Sequence, residues 1–241
     1  MIILGADLSP TSSGFVKFIL NEMFEIIEIK KMGFYAYEIP KKKAFTIPNF
    51  KDVFSYDKNK YDFYNRTLMM TEHISEFIKD VDYAIIEDYS FGSTSSGYFT
   101  EIAEFCSQVK FHLLKNGTKI RLISPLQNKQ FATGDGRAEK PDMYDAFESQ
   151  SDKKIDVSDL PKIPVHIRGK FVGLRNKDGQ SPLSDLVDGY WLCYLLYNEL
   201  LLRNGIKTLV DLNPKYSHVL SHTTKKNKLP LTKQPFLEYV K

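Results

Sequence analysis

Four acidic residues in three separate stretches carry the chemistry this sequence offers: Asp7, Glu87, and the pair Asp185 and Asp188. Carboxylates are hard oxygen ligands, and a set gathered from distant segments is a means of holding divalent cations for phosphodiester hydrolysis. Each stretch has its own way of presenting its acid. Residues 1–6 are an apolar run of strand length, and Asp7 follows them directly, ahead of the turn-forming Ser9-Pro10-Thr11-Ser12-Ser13-Gly14. Residues 81–87 repeat the plan: Ala84, Ile85 and Ile86 lead into Glu87 before a loop containing Gly92 and Gly97. Both acids are thus expected at strand ends, where open α/β sheets place their ligands. The third stretch reads as a helix with Ser181 as cap and Pro182 at its first position. A spacing of three puts Asp185 and Asp188 on adjacent turns of one face.

Plainer uses exist for each acid. Asp7 can cap the turn that follows it, Glu87 can be a surface acid, and the two aspartates can favour the helix N-terminus through its dipole. Against the last, residues 186–202 are apolar on most faces, so the helix is expected to be buried and acids on it need a reason. Four carboxylates held together without metal repel one another, and at least one pKa should rise.

The elements that must position these acids belong to a chain of 241 residues, 42% hydrophobic and 13% aromatic, enough for one substantial core with insertions. Cys106 and Cys193 are the only cysteines; both sit in apolar helical surroundings and read as core residues, which excludes a disulfide framework or zinc knuckle and suits a reducing cytosol. No basic region precedes the N-terminal apolar run, so it is not read as a signal peptide. Asp188, Asn198 and Glu199 interrupt the longest apolar stretch and argue against a membrane span. A soluble, cytoplasmic protein is expected. The formal charge of +3 divides unevenly: residues 206–241 hold seven Lys against two acids, which leaves −2 for residues 1–205. A basic tail beside an acidic centre suits a polyanionic substrate. His218 and His222 lie four apart but lack a third ligand nearby.

Strand-like runs at 2–6, 15–20 and 24–29, with Asn21-Glu22 between the last two, predict an antiparallel meander. Residues 33–60, with Pro40, Pro48 and Lys41-Lys42-Lys43, read as an inserted arm. A helix over 61–79 leads to the strand ending at Glu87, and a second over 98–115 leads to a strand at 119–123, so parallel pairing is expected here. Short helices follow near 126–131 and 139–149, separated by the turn Thr133-Gly134-Asp135-Gly136. Residues 150–180 are polar and rich in Pro and Gly, and read as an irregular insertion. From Asn213 onward the periodicity is weak, as in a segment that is extended or ordered by a partner.

A meander, then alternating helices and strands, then a closing helix that returns acids to those of the first and fourth strands, is the plan of an RNase H-like nuclease. The chain resembles the RuvC-type Holliday junction resolvases through Gly5-Ala6-Asp7-Leu8-Ser9-Pro10-Thr11-Ser12-Ser13-Gly14, Ile85-Ile86-Glu87 and Pro182-Leu183-Ser184-Asp185-Leu186-Val187-Asp188-Gly189. The segment Gly134-Asp135-Gly136-Arg137-Ala138-Glu139-Lys140 is similar to the glycine turn and Ala-acid-Lys run that the family places before its penultimate helix. The resemblance covers about 1–32, 61–149 and 181–205, and the insertions and tail look more like a divergent, viral member than a bacterial form. It implies an α/β, RNase H-like fold with a mixed five-stranded sheet, spanning 1–205 with insertions near 33–60 and 150–180, followed by a basic extension at 206–241.

On this reading Asp7 bridges two divalent ions, with Glu87 on one side and Asp185 and Asp188 on the other. Mg²⁺ fits because it takes oxygen ligands and keeps waters for a substrate phosphate, and Mn²⁺ can substitute. The resemblance implies that Lys140 lies near the scissile phosphate, where positive charge favours the transition state. Arg137 and Lys129 are candidates to position phosphates. Asp88, next to Glu87, should face the other side of the strand and is left out. The family often has an aromatic three positions after its strand-end glutamate; here Ser90 stands there, flanked by Tyr89 and Phe91, either of which could stack on a base at the branch point. The expected substrate is branched DNA such as a four-way junction, and the resemblance implies a homodimer, because symmetric resolution needs two cuts. Two other readings compete. An actin-like-fold ATPase or phosphotransferase also ends its first strand in an acid before a phosphate turn, but it needs a second phosphate loop, for which Gly134-Asp135-Gly136 is a poor candidate. A non-catalytic branched-DNA-binding protein would bind junctions in EDTA and never cut.

Overall fold

Residues 1–37 fold back twice to form the centre of the sheet. β1 (Ile2–Asp7) pairs antiparallel with β2 (Gly14–Leu20), which pairs antiparallel with β3 (Ile26–Tyr37). The β2–β3 connection is longer than the expected Asn21-Glu22 pair: Asn21 Oδ1 accepts from the backbone N–H groups of Met23 and Glu25, and Phe24 takes a left-handed conformation at φ 62°. The computed structural model describes residues 1–38, 49–88, 99–151, 154–160, 163–167, 170–175, 182–223 and 228–239.

β4 (Val53–Asp57) lies parallel to β3 at the sheet edge, so the sheet has six strands where five were expected. Its strand signal was hidden inside the segment read as an inserted arm. Val53 and Tyr56 are buried, and Phe54 stacks on Phe34 at 5.7 Å and on His73 at 3.9 Å. These aromatic contacts anchor an edge strand whose own alternation is short.

α1 (Phe63–Ile78) starts at Asp62, whose side chain accepts from the Asn65 N–H at 2.8 Å, and leads to β5 (Tyr83–Glu87), parallel to β1. α2 (Phe99–Lys115) returns to β6 (Lys119–Ile123), parallel to β5. The strand order is β4-β3-β2-β1-β5-β6, the meander followed by parallel strands that the sequence predicts.

α3 (Pro125–Thr133) opens with a capping box between Ser124 and Gln127 and stops at Gly134, whose φ of 90° suits the residue after a helix. α4 (Lys140–Glu148) follows. Within the stretch read as irregular, β7 (Ile163–Ile167) and β8 (Lys170–Arg175) form an antiparallel pair beside α4, and Ile155, Val157 and Leu160 enter the main core. α5 (Leu183–Arg203) begins one residue later than expected, with Pro182 at the cap position; Ser181 lies outside the described residues.

Both sheet faces are covered, which explains the continuous apolar runs of β1 and β5. One core packs Leu4, Ala6, Ala84 and Ile86 against α1 and α2; the other packs Ile3, Val16 and Ile85 against α5 and its Trp191. The C-terminal stretch also belongs to the fold. α6 (Pro214–Ser221) buries Tyr216 on Phe131, ring centroids 4.4 Å apart, and Leu237 exchanges two backbone hydrogen bonds with Ile120 in β6. Arg121 grips Glu199 through two hydrogen bonds of 3.1 and 2.6 Å, Arg203 adds a third at 2.7 Å, and both guanidinium groups flank the Phe236 ring.

Candidate active site

Three glycines let α5 come down onto the sheet. A Cβ on Gly5 would collide with the backbone of Gly189 and Cys193, one on Gly14 with the backbone of Asp185, and one on Gly189 would stand 2.8 Å from the Gly14 carbonyl oxygen. This contact sets the acids: Asp7 pairs with Gly14 across the β1–β2 ladder, and Gly14 lies under Asp185. The parallel register Ala6 with Ile86 brings the next residues, Asp7 and Glu87, to the same end of adjacent strands. The structure therefore brings together the four acids that the sequence singles out.

Their electrostatics follow. Burial, then Asp188 and Asp185, push the Asp7 carboxyl well above its ordinary range, and Lys140 offsets this in part. Glu87 is pushed up to about 7 by burial and by Asp7, against the opposing effects of Asn128, Lys129 and Lys140. Asp188 is pushed up to about 7 by burial, and Glu87 and Asp185 act in the same direction while Lys140 and Lys129 oppose it. Asp185 is 5% exposed, with its Oδ1 3.5 Å from Lys140 Nζ and 3.3 Å from Ser184 Oγ. Burial alone would lower the Lys140 pKa, but Asp185, Asp188 and Asp7 outweigh it and hold the ammonium above its ordinary value. Lys140 also donates to Ser184 Oγ at 3.0 Å.

Lys129 lies within electrostatic reach of Glu87 and Asp188, while Arg137 is exposed, its backbone N–H donating to Asp135. Asp88 is exposed and its backbone N–H bonds Ile123. Tyr89, Phe91 and Lys41 to Lys43 lie outside the described residues. Sequence reading missed Asn128, whose Nδ2 donates to Glu87 Oε1 at 3.0 Å. The available signal was a polar residue on the α3 face shared with Phe131 and Ala132.

The donor set has the chemistry of a hard divalent site: four carboxylates whose mutual repulsion a cation would relieve, with one adjacent ammonium that relieves only part of it. Among the described residues no group of three or more His, Cys, Asp or Glu side chains stands in an arrangement that could hold a metal ion. His218 on α6 and His222 at its C-terminal cap stack at 5.3 Å. No helix among the described residues is long and apolar enough to cross a membrane.

No family model matches the chain, and no curated protein matches it. Among solved structures it is similar to RuvC of Thermus thermophilus, with 15% identity and a TM-score of 0.47 over 85% of this chain and 97% of that one. It is also similar to T. thermophilus RuvC in complex with Holliday junction substrate, at 12% identity and a TM-score of 0.49 over 85% and 96% of the two chains. The fold itself rests on the strand order and register.

Proposed function

We propose that this chain is a divalent-cation-dependent endonuclease that hydrolyses phosphodiester bonds in four-way or other branched DNA. The observation that carries this reading is the meeting of Asp7, Glu87, Asp185 and Asp188, from β1, β5 and α5, around the Lys140 ammonium. In this proposal the four acids hold the cation and Lys140 faces the phosphate. Bound there, Mg²⁺ would activate water and stabilise charge on the attacked phosphate and the leaving oxygen.

The chain's own residues supply the rest. Lys140 keeps its proton at Nζ near neutral pH and offers positive charge toward an incoming phosphate. Ser184 Oγ, accepting from that Nζ, fixes the direction of the lysine. The Gly5, Gly14 and Gly189 contact holds α5 rigidly on β1 and β2, so the acids are set by packed elements. Lys129 and Arg137 extend the positive surface for the DNA backbone, and a homodimer would present two sites to opposed strands. The ATPase reading loses support because Gly134 serves as the helix stop of α3.

The test is incubation of labelled four-way junction and matched duplex with Mg²⁺ or EDTA. Paired nicks near the branch, seen only with metal, support the reading; binding in EDTA without cleavage under any metal leaves a DNA-binding protein.

A further inference from the structure

Asn128 occupies a position on which the proposed site depends. Its Nδ2 donates to Glu87 Oε1 at 3.0 Å and reaches the Asp188 backbone carbonyl at 3.5 Å, so one side chain of α3 touches both the β5 end and α5. The Asp188 carbonyl can only accept, which fixes the amide with its NH₂ toward these two groups. Among the described residues Oδ1 then has no hydrogen-bond partner, on a residue only 1% exposed. Burying an amide costs desolvation that a leucine of the same branched shape would avoid, on a helix face otherwise given to Phe131 and Ala132. The amide is therefore poorly explained as packing and well explained by what its nitrogen holds.

We propose that Asn128 is a positioning residue that orients the Glu87 carboxylate for the divalent cation and ties it to the α5 backbone beside Asp188. This inference rests on the metal-dependent reading above. Partners that orient a ligand in this way commonly change metal affinity or activity 10- to 100-fold when removed.

The test compares wild type with Asn128→Leu and with the isosteric Asn128→Asp, which lacks the donor. Three quantities are measured: Mn²⁺ binding to EDTA-stripped protein by calorimetry, thermal melting in EDTA, and kcat and KM on a four-way junction. The expected result is a melting temperature for Asn128→Leu equal to or above wild type, with Mn²⁺ affinity lowered roughly 10-fold or more. The kcat should fall by a similar factor while KM stays unchanged, and Asn128→Asp should share both losses. Wild-type affinity and kcat in Asn128→Leu would overturn the inference alone. So would a lowered melting temperature with unchanged Mn²⁺ affinity, which marks a purely structural residue. A wild-type protein that neither binds Mn²⁺ nor cuts would overturn the nuclease reading, and this inference with it.

Discussion

Gly189 of α5 and Gly14 of β2 meet backbone to backbone: a Cβ on Gly189 would stand 2.8 Å from the Gly14 carbonyl oxygen. The contact lies between Asp185 and Asp188 on one side and Asp7, paired with Gly14, on the other. Gly14→Ala should therefore lift α5 and withdraw its acids. Overpacking of this kind costs about 1–3 kcal/mol or more. Urea unfolding should show that loss, and junction cleavage per folded molecule should fall as well. Wild-type stability and cleavage would contradict the close packing.

Glu87 and Asp188 give the metal-free protein an unusual pH dependence. Their folded pKa values, about 7, lie above the ordinary 4.5 and 3.8, so the folded state binds protons more tightly than the unfolded chain. The stability they contribute is fully present below the unfolded values and is lost as pH rises through 7. Asp80, Asp156 and Asp211, held below their ordinary value, act in the opposite sense and at lower pH. The melting temperature in EDTA should fall between pH 5 and 8. Asp188→Asn should flatten the profile, and Mg²⁺ should stabilise more at pH 8 than at pH 5.5. A profile that rises across this window would contradict the burial of these acids.

Glu199 is fully buried between Arg121 and Arg203, and the surplus positive charge is met by backbone carbonyls of the C-terminal stretch: Leu231, Gln234 and Pro235. Removing one member of a buried ion network typically costs about 3–5 kcal/mol. Glu199→Gln should show a loss of that size in urea unfolding and should open the segment around Phe236 to limited proteolysis. Retained protection would mean that Leu237 and Phe236 hold the segment without the ions.

Lys140→Met removes the cation beside Asp185. Junction cleavage should fall by roughly 10²-fold or more, as for other groups that stabilise transition-state charge, while junction binding in EDTA persists. Cleavage within a few-fold of wild type would remove Lys140 from the chemistry.

The acids were legible in the sequence because each sits where a local pattern breaks: an aliphatic run ending in Asp7 or Glu87, or an apolar helix interrupted by Asp185 and Asp188. The meander and the parallel strands were legible for the same reason. What was hidden depends on distant partners. Asn128 gains its role from residues 41 and 60 positions away, and Arg121 anchors carbonyls 113 and 114 positions away, distances at which no local periodicity operates. β4 is short, and its burial is supplied by Phe34 and His73 from other elements.

The most direct test is cleavage of a labelled four-way junction by wild type and Asp7→Asn in Mg²⁺ and in EDTA, with binding measured in parallel. The account predicts metal-dependent paired nicks near the branch for wild type, and binding without cleavage for Asp7→Asn. Equal cleavage by the variant, or cleavage undiminished in EDTA, would contradict it.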